Sequence, residues 1–474
     1  MRRIKRFVLL LIPAALLAAS LGGAPAALAG AAPHAASGPA AVKRYTGTFK
    51  DGATYLIQVP AKWNGTLLLY SHGYVVPGTS NPAQDSSDSL TGGWLLSHGY
   101  ALAGSSYAIT GWAVAAALPD QIHTLNVFGT LVGKPSRTIA WGGSLGGMIT
   151  AGLVQRYPSR FTAAAPLCGV LSGGVATWNT ALDAEFAFQQ LIDPSVSVVN
   201  ITNPGPNLIS ALNAAAKAQK TAAGRARLAL ATALADTPGW FTPLSAQPAP
   251  TDYTAQEANQ YLWATQVTFP FAFDLRAQLE QLAGGNPSSN TGVNYFQDLL
   301  KSADLSEVLA LYHKAGLSLD GDLAKLAAAP RVSADPAARK YLVQHITYTG
   351  KLAVPVLTMH TTGDGLVVPE NEQAYNADVA KAGDSAMLQQ VFVSRAGHCA
   401  FTPAENITTL RALVQRVNTG SWNPGALTPA QMNAKAAALG AKYNVYPSGS
   451  SLVPTSPAFT SYNPPAYPRP WDKP

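Results

Sequence analysis

The sequence predicts a doubly wound α/β fold, built on a mostly parallel sheet and carrying a large, mainly helical insertion. Three observations support this. Short continuous apolar runs, "TLLLYS", "YALAGSSY" and "RTIAW", alternate with helix-compatible stretches, the pattern of strands buried on both faces. The alternation stops after residue 171, and Ala-, Leu- and Gln-rich sequence with helix-start signals runs to 350. It resumes at "AVPVLTMH" (353–360).

Taken in order, residues 1–29 read as a signal peptide. Arg2, Arg3, Lys5 and Arg6 form a basic start, Phe7 to Leu17 an apolar run broken only by Pro13, and Ala27-Leu28-Ala29 a small-residue cleavage signal. The run is short for a membrane span and no other stretch reaches that length, so the expectation is a secreted chain, cut near Ala29, without stable membrane insertion. The formal charge of +7 loses four with the leader, 7 − 4 = +3. No Lys/Arg cluster remains to track a phosphate backbone, which excludes nucleic acid as a partner. At 47% hydrophobic and 12% charged residues, the 474-residue chain is globular and not a solvated disordered one. Its two cysteines, Cys168 and Cys399, are expected to pair, as in most exported proteins.

The first part of the core spans 30–171. "YTGTFKDGATYLIQV" (45–59) is a hairpin turning at Asp51-Gly52. Strands follow at 66–71, 100–107, 137–141 and 161–170, with helices at 86–98 and 113–132. In the insertion, 172–350, Thr254 to Glu257 reads as a capping box and Asp335-Pro336 as an N-cap followed by proline at N1. Pro270 should kink or break the segment 254–284. The second part of the core, 351–420, holds strands at 353–360 and 387–393, a helix at 370–382, and a helix opened by the capping box Thr402/Glu405. Residues 421–474 read as a helix and a Pro-rich extended tail of polyproline II character. Insertion aromatics, among them Trp178, Phe186, Phe188, Trp240, Phe241, Tyr261, Trp263, Phe269, Phe271 and Phe273, should mostly form its own core. A few should line an apolar acyl or alcohol pocket.

"WGGSLGG" (141–147) follows a buried strand and precedes a helix. It lacks the Lys-Ser/Thr of a phosphate loop, but Gly142, Ser144 and Gly146 fit G-x-S-x-G, in which a strained turn exposes the serine and bulky neighbours would clash. A serine hydroxyl needs a base oriented by an acid. Asp364, in the turn after the 353–360 strand, and His398, in the loop after the 387–393 strand, stand in the required order. Asp384 should emerge at the opposite sheet edge, and Asp183 is a weaker alternative acid. Histidines 72, 98, 123, 313, 345 and 360 are assigned packing, surface or turn roles. The oxyanion donors should be the N–H groups of Leu145 and, after "SHG", Tyr74. Metal binding is not expected, because no second Cys/His cluster stands at ligand spacing.

Together "YSHGY", "WGGSLGG", "HTTGDGLVVP" and "AGHC" resemble a secreted bacterial serine esterase of the α/β-hydrolase superfamily, over 45–170 and 351–417. The resemblance implies Ser144 as nucleophile, Asp364 as acid, His398 as base, oxyanion donors at Tyr74 and Leu145, and an insertion at the position of a lid. A cysteine after the catalytic histidine is also similar to tannases and feruloyl esterases. There the partner cysteine directly precedes the nucleophile, where this chain has Gly143, and the departure withholds an aromatic-ester expectation. The predicted function is cofactor-free hydrolysis of small-molecule or polymeric carboxylic esters through an acyl-enzyme. Two alternatives stand beside it. One is a serine exopeptidase using Asp183 or Glu185, which otherwise form a solvated helix face, to anchor an ammonium. The other is a non-catalytic binding module using the Tyr/Pro-rich tail.

Overall fold

The computed structural model describes residues 42–469, and the expected signal peptide lies outside them. A nine-stranded sheet runs in the order β1-β2-β4-β3-β5-β6-β7-β8-β11. Its strands are β1 (Val42–Thr48), β2 (Thr54–Pro60), β3 (Thr66–Ser71), β4 (Ala101–Ser105), β5 (Arg137–Gly143), β6 (Ala163–Leu167), β7 (Val356–Gly363), β8 (Leu388–Ala396) and β11 (Phe459–Thr460). The six from β4 to β8 are parallel, while the β1–β2 hairpin and β11 close the two edges in antiparallel pairing.

Alternation along β3 shows why the sheet is covered twice. Leu67 and Leu69 join the cluster under α2 (Val114–Leu131), α3 (Leu145–Arg156) and α13 (Glu370–Ala382). Leu68 and Tyr70 join the opposite cluster, under α1 (Ser89–Ser97), α14 (Pro403–Thr419) and α15 (Pro429–Ala437). The parallel core, helices on both faces and insertion are the fold class the sequence predicted.

Between β6 and β7 lie the helices α4 (Gly174–Leu191), α5 (Pro204–Ala218), α6 (Ala222–Ala233), α7 (Tyr253–Trp263), α8 (Arg276–Ala283), α9 (Tyr295–Leu299), α10 (Leu305–Ala315), α11 (Leu319–Ala328) and α12 (Pro336–His345). They enclose a core of their own around Phe186, Phe188, Leu230, Phe273 and Tyr312.

Several local expectations need correction. Asp252, not Thr254, caps α7 by accepting from the Ala255 N–H, and Glu257 is buried against Gln219. Pro270 does not break its helix. Widened π turns at 264–268 and 271–275 flank it, and such turns relieve the missing N–H and the ring's crowding of the preceding turn. Asp335 is the N-cap residue of α12, but its carboxylate accepts from Asn286 N–H instead of its own helix. Asp183 and Glu185 do not form a solvated face; both are buried.

The extended tail is likewise structured. Residues 445–454 form the hairpin β9 (Val445–Ser448) and β10 (Ser451–Pro454), and β11 pairs with β8, covering an edge that would otherwise be open. The chain then returns to the insertion. Tyr467 is buried, and Arg469 Nη1 meets Asp183 Oδ2 at 2.9 Å and donates to the Ser289 carbonyl. Among the described residues, no helix is long and apolar enough to cross a membrane.

Candidate active site

Ser144 stands between β5 and α3 with φ 61° and ψ −129°, a left-handed backbone that a non-glycine residue holds only under constraint. The constraint is close backbone packing. A Cβ on Gly146 would lie 1.9 Å from the Ser71 carbonyl oxygen, and one on Gly142 2.3 Å from the same atom. Ser144 N–H donates to the Leu167 carbonyl, 3.0 Å, locking the turn to β6. Leu145 is the first residue of α3, where backbone N–H groups lack an intrahelical acceptor.

Asp364 and His398 are brought together as expected. His398 Nδ1 lies 2.7 Å from Asp364 Oδ2, both side chains buried. Asp364 Oδ1 accepts from the N–H groups of Leu366 and Val367, each 3.0 Å, which fixes the carboxylate in its turn. Burial alone would raise this carboxyl, but the charge of His398 and bonds from His360 and His398 hold it down to about 2.

His360, assigned a packing role from sequence, proves to be part of this arrangement. Its Nε2 lies 2.7 Å from the Val367 carbonyl and 3.6 Å from Asp364 Oδ2, and its Nδ1 3.1 Å from Glu372 Oε1. Burial would lower its pKa, but the Asp364 and Glu372 carboxylates raise it to about 10. Thr358 and Gln390 donate to the other oxygen of Glu372. His360 lies inside β7 and Asp364 just past its end, four residues on, a spacing that the strand's apolar pattern hides.

The expected disulfide is present, Cys168–Cys399, with Cα atoms 5.4 Å apart. It explains the Gly143 departure. A Cβ on Gly143 would lie 3.6 Å from both sulfurs, so the bridge occupies the space beside the residue preceding Ser144, reached from β6 instead of β5. Cys399 Sγ is also 3.5 Å from His398 Nε2, so the bridge packs between the serine turn and the histidine loop. Both cysteines have positive φ.

A large cavity lies between sheet and insertion. Ser144, Leu145 and Tyr74 stand on its wall with Gly365–Val368 of the acid turn, and Trp178, Phe188, Phe269 and Phe271 make the insertion's side largely apolar. Phe186 and Phe273 pack in the insertion's own core, as most of its aromatics were expected to do. Tyr74 packs edge-on against Phe271, and its buried hydroxyl has no partner among the described residues. Glu185, which the exopeptidase alternative placed at the site, stands on the wall, and so does Tyr467, which was not anticipated; nothing in the sequence ties Tyr467 to a site some 320 residues upstream.

Asp384, the rival acid, accepts from Leu352 N–H near the start of β7 and is remote from the serine turn, and Asp183 is held by Arg469 and Tyr295. Asp51, Asp120 and His123, in the first hairpin turn and α2, bring one potential metal-ligand atom each within 4.8 Å of one another. They share no residue with the serine site.

No protein-family model matches the sequence. An o-phthalyl amidase of Xanthobacter agilis is 28% identical over 407 residues, 79% of this chain and 87% of the relative. Among solved structures, an esterase from Aspergillus oryzae aligns with TM-score 0.45 at 12% identity, covering 90% of this chain and 89% of that one. Feruloyl esterase B of the same organism aligns with TM-score 0.39 at 14% identity over 80% and 81%. The rice cell wall degrading esterase LipA of Xanthomonas oryzae aligns with TM-score 0.35 at 16% identity over 80% and 89%.

Proposed function

Taking the chain as a hydrolase of the α/β-hydrolase fold, we propose that it is a secreted serine hydrolase of carboxylic esters, acting through an acyl-enzyme on Ser144. The observation that carries the reading is the His398–Asp364 pair at 2.7 Å, with the disulfide packed between His398 and Gly143, the residue before a serine held at positive φ. His398 takes the hydroxyl proton as Ser144 Oγ attacks the ester carbonyl. The Leu145 and Tyr74 N–H groups receive the oxyanion, the first of them at a helix N-terminus where negative charge is favoured. Asp364, held ionised by His398 and His360 and fixed in place by its two backbone donors, stabilises the imidazolium. The proton passes to the leaving alcohol, and water, activated by the same histidine, releases the acid.

Residues 172–350 act as the cap over this site, with 42–171 and 351–420 as the two described parts of the core. Export is supported by the N-terminal signal pattern and by the disulfide. Ser144→Ala should lower hydrolysis of a short p-nitrophenyl ester by at least about 10⁴-fold, and a fluorophosphonate should label the wild type once, at Ser144. Normal turnover in the variant would end the reading, and an unlabelled wild type would favour the non-catalytic module instead.

A second reading, amide hydrolysis by the same triad, is favoured by the amidase relative. An aryl ester and its matched anilide compared on one preparation separate the two. The exopeptidase version is weakened at Asp183, whose carboxylate already holds Arg469.

A further inference from the structure

Glu185 lies on α4 and on the wall of the cavity that holds Ser144. It is 3% exposed, and neither of its carboxyl oxygens has a hydrogen-bond partner among the described residues. Buried polar groups left unpaired are rare, and in a ligand cavity they are the groups that fix a ligand's orientation.

The ion pair of Glu185 with Arg276 stops short of a hydrogen bond. Arg276 directs Nε to Glu280 Oε1 at 3.1 Å and Nη2 to Asn286 Oδ1 at 3.0 Å. Only Nη1 faces Glu185, 3.6 Å from Oε2, which is beyond a hydrogen bond. Glu280 is itself completed by the N–H groups of Asn200 and Ile201. Asp183, the next acid on the helix, is matched by Arg469 and Tyr295. Both guanidinium groups thus have closer carboxylate partners, and Glu185 is left without a hydrogen-bonded cation. Burial pushes its carboxyl up to about 8 against the pull of Arg276, with Glu280 and Asp183 adding to the rise.

We propose that Glu185 is a substrate-binding residue whose neutral carboxyl receives an uncharged donor–acceptor group, a hydroxyl or a primary carboxamide, on the substrate. The inference rests on the reading of Ser144 as nucleophile. An ammonium at this point would meet the Arg276 guanidinium, and a carboxylate would add negative charge with no match. A neutral group that both donates and accepts completes Glu185 without adding a charge. The surrounding Trp178, Phe188 and Phe269 suit the apolar body that carries it.

The test uses the full mature protein, with fluorophosphonate labelling of Ser144 checked first. Two ester series, p-nitrophenyl 3-phenylpropanoates and benzyl acetates, carry ring hydroxyl, carboxamide, aminomethyl or carboxylate groups at each position. One hydroxyl or carboxamide isomer should exceed its unsubstituted parent by about tenfold in kcat/KM, the scale of one net hydrogen bond. Glu185→Gln, which keeps a donor and an acceptor, should retain that ratio within about threefold, and Glu185→Leu should bring it to about one. A labelled enzyme with no such preference, or with one for the aminomethyl or carboxylate esters, overturns the proposal on the wild type alone, whether or not the variants fold. An unlabelled enzyme overturns the reading beneath it.

Discussion

Asp364 in the core and Glu185 in the insertion are both buried carboxyls, yet one is held down to about 2 and the other pushed up to about 8. The difference lies in the neighbours. Asp364 receives two backbone N–H groups and faces two histidines, whereas Glu185 faces one guanidinium already committed to Glu280. The contrast is between these two sites and not between the two regions as wholes. The core pairs Arg395 with Glu405 at 2.7 Å, but burial also raises its Asp120, to about 7, and its Glu370. The insertion buries Asp236, Glu257 and Glu307, which burial raises to about 6, 7 and 9. A carboxylate that orients a histidine must keep its charge. A carboxyl on a cavity wall can stay neutral and serve as a hydrogen-bonding group.

The sharpest way to test that contrast is to neutralise one acid in each region. Asp364→Asn leaves the shape but removes the charge that orients and stabilises His398, and kcat/KM should fall about 10⁴-fold. Glu307→Gln exchanges an acid that is already neutral for an amide that can still meet Gln260, and activity should stay within about twofold. Equal losses in the two variants would erase the distinction.

The disulfide joins the root of the insertion to the histidine loop, closing a separation of 231 residues. In the chain-entropy account such closure is worth roughly 5 kcal/mol, an upper figure. Cys168→Ser with Cys399→Ser should lower Tm and, because the bridge packs against Gly143 and His398, lower kcat at temperatures where the fold persists. Full kcat in a protein of lowered Tm would limit the bridge to stability.

His360 supports the acid turn from behind through Val367 and Asp364. His360→Gln should reduce kcat roughly tenfold to hundredfold, the scale of a misplaced catalytic group, and leave KM nearly unchanged. A raised folded value means its stabilisation is present below about 6.5 and lost as pH climbs through about 10. That decline should be shallower in the variant.

The same residues show what the sequence could reveal. Ser144, Asp364 and His398 follow strand ends, so short periodic patterns and one glycine motif singled them out, and the structure pairs the last two. The Cys168–Cys399 pairing followed from expected export and a count of two. His360 was passed over because a histidine inside an apolar strand resembles ordinary packing. Its partner Glu372 comes from the next helix, a contact no local pattern marks. The tail was misread because proline content masked a two-residue edge pairing, and the return of Arg469 to Asp183 spans 286 residues. Burial of Asp183 and Glu185 depended on which way α4 turned, and that was set by helices packed over it.

The smallest effect separates the two kinds of acid by pH. Acids whose folded values are raised keep protons that the unfolded chain releases. Stability of the insertion therefore falls as pH rises from about 4.5 through about 9, by up to about tenfold in the opening constant per pH unit for each such acid. Asp364 has the opposite sign, its contribution present above about 3.8 and lost only as pH falls through about 2. Amide exchange, corrected for intrinsic rate, should show α4 and α10 opening more readily at pH 9 than at pH 6, while β5 and β6 change less. Glu307→Gln cannot ionise, so it should restore alkaline protection in α10. If α10 in that variant loosened as much as in the wild type, ionisation of the buried Glu307 would not be what opens α10.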